Sequence, residues 1–266
     1  MRDIVLYCKS YSRDFLRLKR LLDSIEKFNK DRIPFFISTP EDQHQDLITI
    51  LGNEKNYQWV SDESIIAANL NVSPGVEKQR SGGLAQQAIK SEFWRLGLSE
   101  NYVCLDSDCV FIKPFSRSDF LAADGNPYTV NREGPSYFCP CPPFIWSSKV
   151  WRSLDENYLK PKNMTFWDIS TESHPETLLY LEALLNYRAI PLYPIEQLFR
   201  IYYYDWHFFL LRRMGETEEK LFENYLGVIY QSNWESNLDY GAPTKSMLSR
   251  SVRALKRFFK YLASYL

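Results

Sequence analysis

The stretch YVCLDSDCVF, residues 102–111, contains two aspartates, Asp106 and Asp108, between two short apolar runs. The run YVCL is typical of a buried strand, and the aspartates stand where that strand ends. Carboxylates at positions i and i+2 of an extended tip project the same way and repel each other unless a cation neutralises them. Mg²⁺ and Mn²⁺ prefer oxygen ligands and commonly combine one or two carboxylates with phosphate oxygens and water. The motif therefore predicts a metal site for a diphosphate.

Upstream of this stretch, short apolar runs alternate with segments in which apolar residues have helical spacing. The runs are typical of buried strands and are IVLYC (4–8), PFFIS (34–38) and YQWV (57–60). A further helical segment, GLAQQAIKSEFWRLGL (83–98), leads directly into YVCL. This alternation predicts an α/β fold with a Rossmann-like, mostly parallel sheet flanked by helices. Such sheets bind ligands at the carboxyl ends of their strands, where the two aspartates stand.

Beyond residue 115 the alternation loosens into an α+β pattern. The predicted strands are NPYTVN (126–131), PFIWS (143–147) and AIPLYP (189–194), and the predicted helices are SKVWRSLDENYL (148–159) and PETLLYLEALLNY (175–187). The chain has no linker rich in Gly, Ser or Pro that would separate two folding units. We therefore expect one domain over 1–243, with a nucleotide-binding half (1–115), an acceptor half (116–243) and a C-terminal appendage (244–266).

Composition excludes several classes of protein. A net charge of −1 over 266 residues argues against a nucleic-acid binder, and a 16% share of aromatic residues is compatible with ring-lined ligand sites. The sequence contains neither a membrane span nor a signal peptide, so we expect a cytoplasmic protein. The five cysteines form no CxxC pair and the three histidines are far apart, which argues against structural zinc.

The segment YVCLDSDCVFIKP (102–114) resembles the DxD segment of the GT-A nucleotide-sugar glycosyltransferases. Three further segments resemble, in order, a poorly characterised family of bacterial glycosyltransferases associated with surface polysaccharide: IVLYCKSYSRDFLRLKRLLDSI (4–25), GGLAQQAIKSEFWRLGL (82–98) and PETLLYLEALLNY (175–187). The likeness covers about residues 3–235. It implies a GT-A-like fold and transfer of a sugar from a nucleotide-sugar donor to a glycan or lipid-linked glycan acceptor, assisted by Mn²⁺ or Mg²⁺.

The resemblance also implies roles for individual residues. It places Asp108 on the metal as a catalytic residue, and Asp106 on the metal or the donor ribose. The other residues implied to contact the donor are Lys9, Ser10 and Tyr11 after the first strand, Asp62 in VSDES, and Gln86, Gln87 and Lys90 on the helix before YVCL.

The sequence leaves two parts of the chemistry open: the third protein ligand of the metal and the general base. Many GT-A enzymes supply a later histidine to the metal, but the corresponding segment GVIYQSNWES (227–236) has none, and Gln231 and Asn233 are at most weaker oxygen ligands or sugar contacts. An inverting enzyme also needs a carboxylate as general base, for which Glu176 is our candidate. Glu176 follows Pro175 at a predicted helix start, where an acid equally stabilises the helix dipole.

Other functions fit the same residues. Asp106 and Asp108 fit solvated turn residues, and DSDCV (106–110) also matches the DxDx[TV] signature of haloacid dehalogenase-like phosphatases, with Asp106 as nucleophile and Asp108 as acid–base. The paired acidic motif that those phosphatases need does not follow Asp108. A non-catalytic nucleotide- or glycan-binding module is the third possibility, since FRIYYYDWHFF (199–209) supplies aromatic rings.

The segment KSMLSRSVRALKRFFKYLASYL (245–266) has six Lys or Arg residues and no acid. Its apolar residues fall on one helical stripe: Leu248, Val252, Leu255, Phe259, Leu262 and Leu266. The pattern predicts a basic amphipathic helix that lies on an anionic membrane, at the inner face of the cell membrane. A helix docked on the core or paired in a coiled coil has the same spacing.

Overall fold

The computed structural model describes residues 2–52, 56–133, 139–171, 174–203 and 205–231, together with residues 252, 255 and 259. The strands within these residues are β1 (Arg2–Lys9), β2 (Phe35–Thr39), β3 (Gln58–Ser61), β4 (Ser99–Leu105), β5 (Cys109–Phe111), β6 (Tyr128–Val130), β7 (Phe144–Ser147), β8 (Tyr193–Ile195), β9 (Phe199–Tyr202) and β10 (Gly227–Tyr230). The α-helices within them are α1 (Phe15–Phe28), α2 (His44–Leu51), α3 (Asp62–Ala67), α4 (Gly82–Glu92), α5 (Ser148–Leu154), α6 (Phe166–Ile169), α7 (Glu176–Tyr187), α8 (Asp205–Arg213) and α9 (Glu218–Asn224).

The central sheet has the strand order β3–β2–β1–β4–β7. The first four strands are parallel, and β7 pairs antiparallel with β4 at the edge. After β3 the chain crosses back over the sheet to place β4 on the other side of β1, so the strand order reverses between β1 and β4. In open α/β sheets, the crevice at the carboxyl ends of the strands beside such a reversal is where ligands bind.

Strand β1 is buried on both faces because helices cover both sides of the sheet. Ile4, Leu6 and Cys8 pack into the core on the side of α1 and α2, whereas Val5 and Tyr7 pack into the core on the side of α4 and α7. Burying each large apolar side chain contributes about 1.5–3 kcal/mol, so both faces hold the strand in place. The end of β1 is consequently a rigid support for the residues that follow it.

A second, three-stranded sheet, in the order β5–β10–β9, brings the end of the described chain to the tip of β4. β10 pairs antiparallel with β5 and parallel with β9. The strands approach closely at Gly227, where an added Cβ would lie 2.5 Å from the Phe199 ring and 2.6 Å from the carbonyl oxygen of Val110. A side chain at this position would therefore disturb the pairing of β10 with β5 and β9.

The predicted α/β fold, with its mostly parallel sheet flanked by helices, is confirmed. Several boundaries differ: β8 begins only at Tyr193 and not at residue 189, the predicted helix 83–98 becomes a 3₁₀-helix over Phe93–Leu96, and the predicted helix 148–159 changes to a π-helix over Asp155–Leu159. The predicted C-terminal helix falls largely outside the described residues, although residues 252, 255 and 259 are helical. None of the helices in the described part of the chain is long and apolar enough to cross a membrane.

Candidate active site at the aspartate turn

Asp106, Ser107 and Asp108 form a tight turn between β4 and β5. The Cys109 N–H donates to the carbonyl oxygen of Asp106 over 3.0 Å, which closes the turn. The prediction that the aspartates lie on an extended tip is therefore wrong, because the chain turns here between β4 of the central sheet and β5, which pairs with β10. The two aspartates differ in exposure: the Asp106 side chain is 36% exposed, whereas Asp108 is nearly buried.

Lys90 lies beside this turn and forms an ion pair with Asp106. Its Nζ donates to Asp106 Oδ1 over 2.6 Å, and the Tyr102 hydroxyl donates to the Lys90 carbonyl oxygen over 3.1 Å, which ties α4 to β4. Burial lowers the pKa of Lys90, but the nearby carboxylate of Asp106, with a smaller contribution from Glu176, outweighs burial and raises it well above its ordinary value. Lys90 is therefore a fixed cation at the turn.

Lys9 and Asp62 form a second buried ion pair at the same edge of the sheet. Lys9 Nζ lies 2.8 Å from Asp62 Oδ2 and also donates to the carbonyl oxygen of Ser10 over 2.7 Å. Burial raises the pKa of Asp62, and the charge of Lys9 opposes this rise. The ends of β1 and β3, two strands apart in the sheet, are thereby linked.

Ser10 joins β1 to the aspartate turn. Ser10 Oγ and Ser107 Oγ are hydrogen-bonded over 2.9 Å, and Cys8 Sγ lies 3.7 Å from Ser107 Oγ. Burial raises the pKa of the Cys8 thiol to about 12, so this thiol is neutral at physiological pH. Cys8 consequently serves as a packing residue and hydrogen-bonding group and not as a nucleophile.

Glu176, the predicted general base, lies near the same turn although it is 68 residues further along the chain than Asp108. It is the first residue of α7 and is nearly buried. Burial raises the pKa of Glu176, the charge of Lys90 opposes the rise, and the charge of Asp106 adds to it. Lys90, Asp106 and Glu176 are thus close enough to interact electrostatically. Glu176 also hydrogen-bonds to its own backbone N–H and lies in the first turn of α7, where an acid stabilises the helix dipole.

Strand β10 completes the turn on the other side. The Tyr230 N–H donates to the carbonyl oxygen of Asp108 over 3.2 Å, and the Gln231 N–H donates to the carbonyl oxygen of Tyr202 over 3.2 Å. The guanidinium of Arg20 lies 4.7 Å from the centre of the Tyr230 ring. Gln231 therefore follows directly after a residue that is bonded to the turn.

Comparison with known protein families places most of this site within the region that matches one family. Residues 3–226 match a family described as "Family of unknown function (DUF6492)". The chain belongs to this family. No curated protein matches the chain. The matched region contains both ion pairs, the aspartate turn and Glu176, and it ends before Gln231.

Three predicted donor contacts lie at the edge of this cluster. Tyr11 is exposed two residues after β1, and Gln86 and Gln87 are half-buried one turn before Lys90 on α4. The buried Oε1 of Gln87 accepts no hydrogen bond from the described residues. Asn233 lies outside the described residues, so its predicted contact with a metal or sugar stays a prediction.

The donor atoms at the turn fit one kind of cation site. No group of three or more His, Cys, Asp or Glu side chains that could hold a metal ion occurs among the residues that the structure describes. Asp106 and Asp108 supply carboxylate oxygens, and Lys90 hydrogen-bonds to only one of the two on Asp106. This set fits Mg²⁺ or Mn²⁺ that takes its remaining ligands from phosphate and water, and does not fit an ion enclosed by protein ligands alone.

The two ion pairs and the hydrogen bond between Ser10 and Ser107 were not predicted from the sequence. A signal for Lys9 and Asp62 was present, since both lie at or directly after the end of a predicted parallel strand and such ends share one edge of a sheet. For Lys90 the sequence offered no such signal, because its contact with Asp106 depends on the position along β4 at which α4 packs.

Proposed function

We propose that this protein is a GT-A-like glycosyltransferase that moves a sugar from a nucleotide-diphosphate-sugar to a glycan or lipid-linked glycan acceptor in bacterial surface polysaccharide synthesis. The observation that carries the proposal is the position of Asp106 and Asp108. They lie at the carboxyl end of β4, beside the point where the strand order reverses, with Lys90 paired to Asp106 and Lys9 at the end of the neighbouring strand β1. This position suits a ligand with a sugar at one end and phosphates in the middle.

Charge at the site supports a phosphate-bearing ligand. Asp106 and Asp108 are the residues that would hold Mn²⁺ or Mg²⁺, and such a cation, when bound, neutralises charge on the departing nucleoside diphosphate. Lys90 keeps its proton and stands beside Asp106, so it adds a positive charge where the diphosphate would lie. The pair of Lys9 and Asp62 limits the crevice on the side of β3 and is suited to contact the nucleoside.

Glu176 supplies the base in this proposal. Its raised pKa makes it a stronger proton acceptor than an exposed glutamate, and α7 holds it near Lys90 and Asp106. An acceptor hydroxyl bound beside Glu176 would lose its proton to this carboxylate as the hydroxyl oxygen attacks the sugar. A neighbouring lysine that stays charged keeps part of the Glu176 population ionised despite burial.

Turnover assays with three substrates test the proposal. The protein is incubated with a panel of nucleotide sugars plus Mn²⁺, with the same panel plus a chelator, and with p-nitrophenyl phosphate. We expect slow, cation-dependent release of a nucleoside diphosphate from at least one nucleotide sugar. Turnover of p-nitrophenyl phosphate in place of this release would favour the phosphatase, and nucleotide binding without either reaction would favour a binding module.

A further inference from the structure

Helix α8 turns an apolar face toward solvent. Phe209, Leu210 and Met214 are exposed, with 57% of Phe209 and 72% of Met214 accessible, and Arg213 is exposed on the same side. Residue 213 is four positions after 209 and three after 210, so it lies beside both on the helix surface. Phe208 lies on the opposite side and packs on the Tyr202 ring at 5.0 Å between ring centres.

This face lies close to the candidate active site. Tyr202 stacks on Tyr230 at 5.6 Å, and the Tyr230 N–H donates to the carbonyl oxygen of Asp108. Phe208, on the inner side of α8, contacts Tyr202 and lies 6.4 Å from Tyr230. Two layers of aromatic rings thus connect the outer face of α8 to the aspartate turn, and whatever binds that face is held near the site.

A second apolar stripe occurs near the C-terminus. Val252, Leu255 and Phe259 are helical and exposed, and their spacing of three and four residues puts them on one side of a helix. The surrounding sequence, 245–266, contains six basic residues and no acid. An apolar stripe within a basic, acid-free sequence is complementary to a bilayer whose headgroups are anionic.

Acidic residues near α8 indicate that α8 and the segment 245–266 contribute differently to membrane binding. Helix α9 carries Glu218, Glu219 and Glu223 beside α8, and Arg212 forms an ion pair with Glu218, so the surface around α8 has little net positive charge. Apolar contact is therefore what α8 offers to a membrane. Attraction to anionic lipid must come from 245–266.

We propose that the exposed face of α8 and the stripe of Val252, Leu255 and Phe259 together dock this protein on an anionic lipid bilayer, with the aspartate turn held near the membrane surface. The proposal goes beyond glycosyl transfer, since lipid binding does not depend on which reaction the turn supports. It adds α8 to the tether that the sequence alone predicts.

Flotation of the full chain with vesicles tests this docking. The vesicles contain phosphatidylcholine alone or phosphatidylcholine mixed with phosphatidylglycerol, each at low and high salt. We expect the unaltered protein to float with the anionic vesicles, and less so at high salt. The double variant Phe209→Ser/Leu210→Ser should bind these vesicles at least about tenfold more weakly, because two exposed apolar side chains no longer enter the bilayer. The variant Leu255→Asp/Phe259→Asp should lose binding to a similar extent.

Leu185→Ser is the matched control, since Leu185 is 48% exposed on α7 and belongs to neither surface. It should float like the unaltered protein. The melting temperatures of all variants should lie within a few degrees of that of the unaltered protein. The proposal is overturned if the unaltered protein stays unbound or floats regardless of lipid charge. It is also overturned if either double variant floats normally, or if Leu185→Ser reduces binding as much as they do.

Discussion

Replacing Asp108 by asparagine is expected to lower sugar transfer by about 10²–10³-fold, because the change removes an anionic oxygen ligand from the place where the diphosphate departs. Asparagine has nearly the same size and shape. The backbone contact between Asp108 and Tyr230 does not involve the side chain, so the turn should keep its shape. The measurement is the initial rate of donor turnover with saturating Mn²⁺, together with the melting temperature.

The control for this change is Asp23→Asn, the same substitution at an exposed aspartate on α1 that pairs with Lys19. This variant should keep full activity. Near-normal turnover by Asp108→Asn with a verified donor would show that the aspartate turn does not carry the reaction.

Replacing Glu176 by glutamine is expected to lower kcat by about 10²–10⁴-fold with little change in the KM for the donor, because general bases contribute rate enhancements of this size. Glu182→Gln is the matched control, since Glu182 lies on the same helix and pairs with His174 at the surface. It should leave kcat unchanged. The pair of variants separates the loss of a base from any general effect of altering α7.

The pH dependence of kcat follows from the raised pKa of Glu176. A base acts in its ionised form, so the rate should increase with pH through the pKa of Glu176, and the midpoint of this acid limb should lie above the ordinary pKa of a glutamate. The raised pKa also means that the folded protein holds this proton more tightly than the unfolded chain does. Stability from this group is therefore present below the ordinary pKa and is lost as pH rises to the folded pKa.

A merely structural Glu176 predicts different results. As an acid in the first turn of α7 it contributes about 0.3–1 kcal/mol, so Glu176→Gln would lower the melting temperature slightly, leave kcat in place and leave the acid limb unchanged. These outcomes would assign the base to another residue.

Local pattern was enough to predict the parallel strands of the central sheet and the edge at which their ends meet. The apolar runs at residues 4–8 and 102–105 identify β1 and β4, and a parallel arrangement puts their ends at one edge. Lys9, Ser10, Asp106 and Asp108 could therefore be placed together from the sequence.

Contacts between distant parts of the chain could not be predicted in this way. The turn at Asp106 arises because β5 pairs with β10, which is more than 110 residues further along the chain. Pairing of Lys90 with Asp106, and the approach of Glu176 to both, depend on how α4 and α7 pack on the sheet and not on local spacing. Each of these positions is set by tertiary packing, which a one-dimensional pattern does not record.

The most direct measurement of the central claim is the thermal stability of the protein with nucleoside diphosphates. UDP, GDP, dTDP, CDP and ADP are each added with Mn²⁺ or with a chelator, to the unaltered protein and to Asp108→Asn. We predict that at least one of them raises the melting temperature of the unaltered protein by about 5–10 °C at a concentration near 100 times its Kd, only when Mn²⁺ is present. The same nucleotide should fail to stabilise Asp108→Asn. Stabilisation by none of the five, or stabilisation that is equal with the chelator and in Asp108→Asn, would contradict a nucleoside-diphosphate and cation site at the aspartate turn.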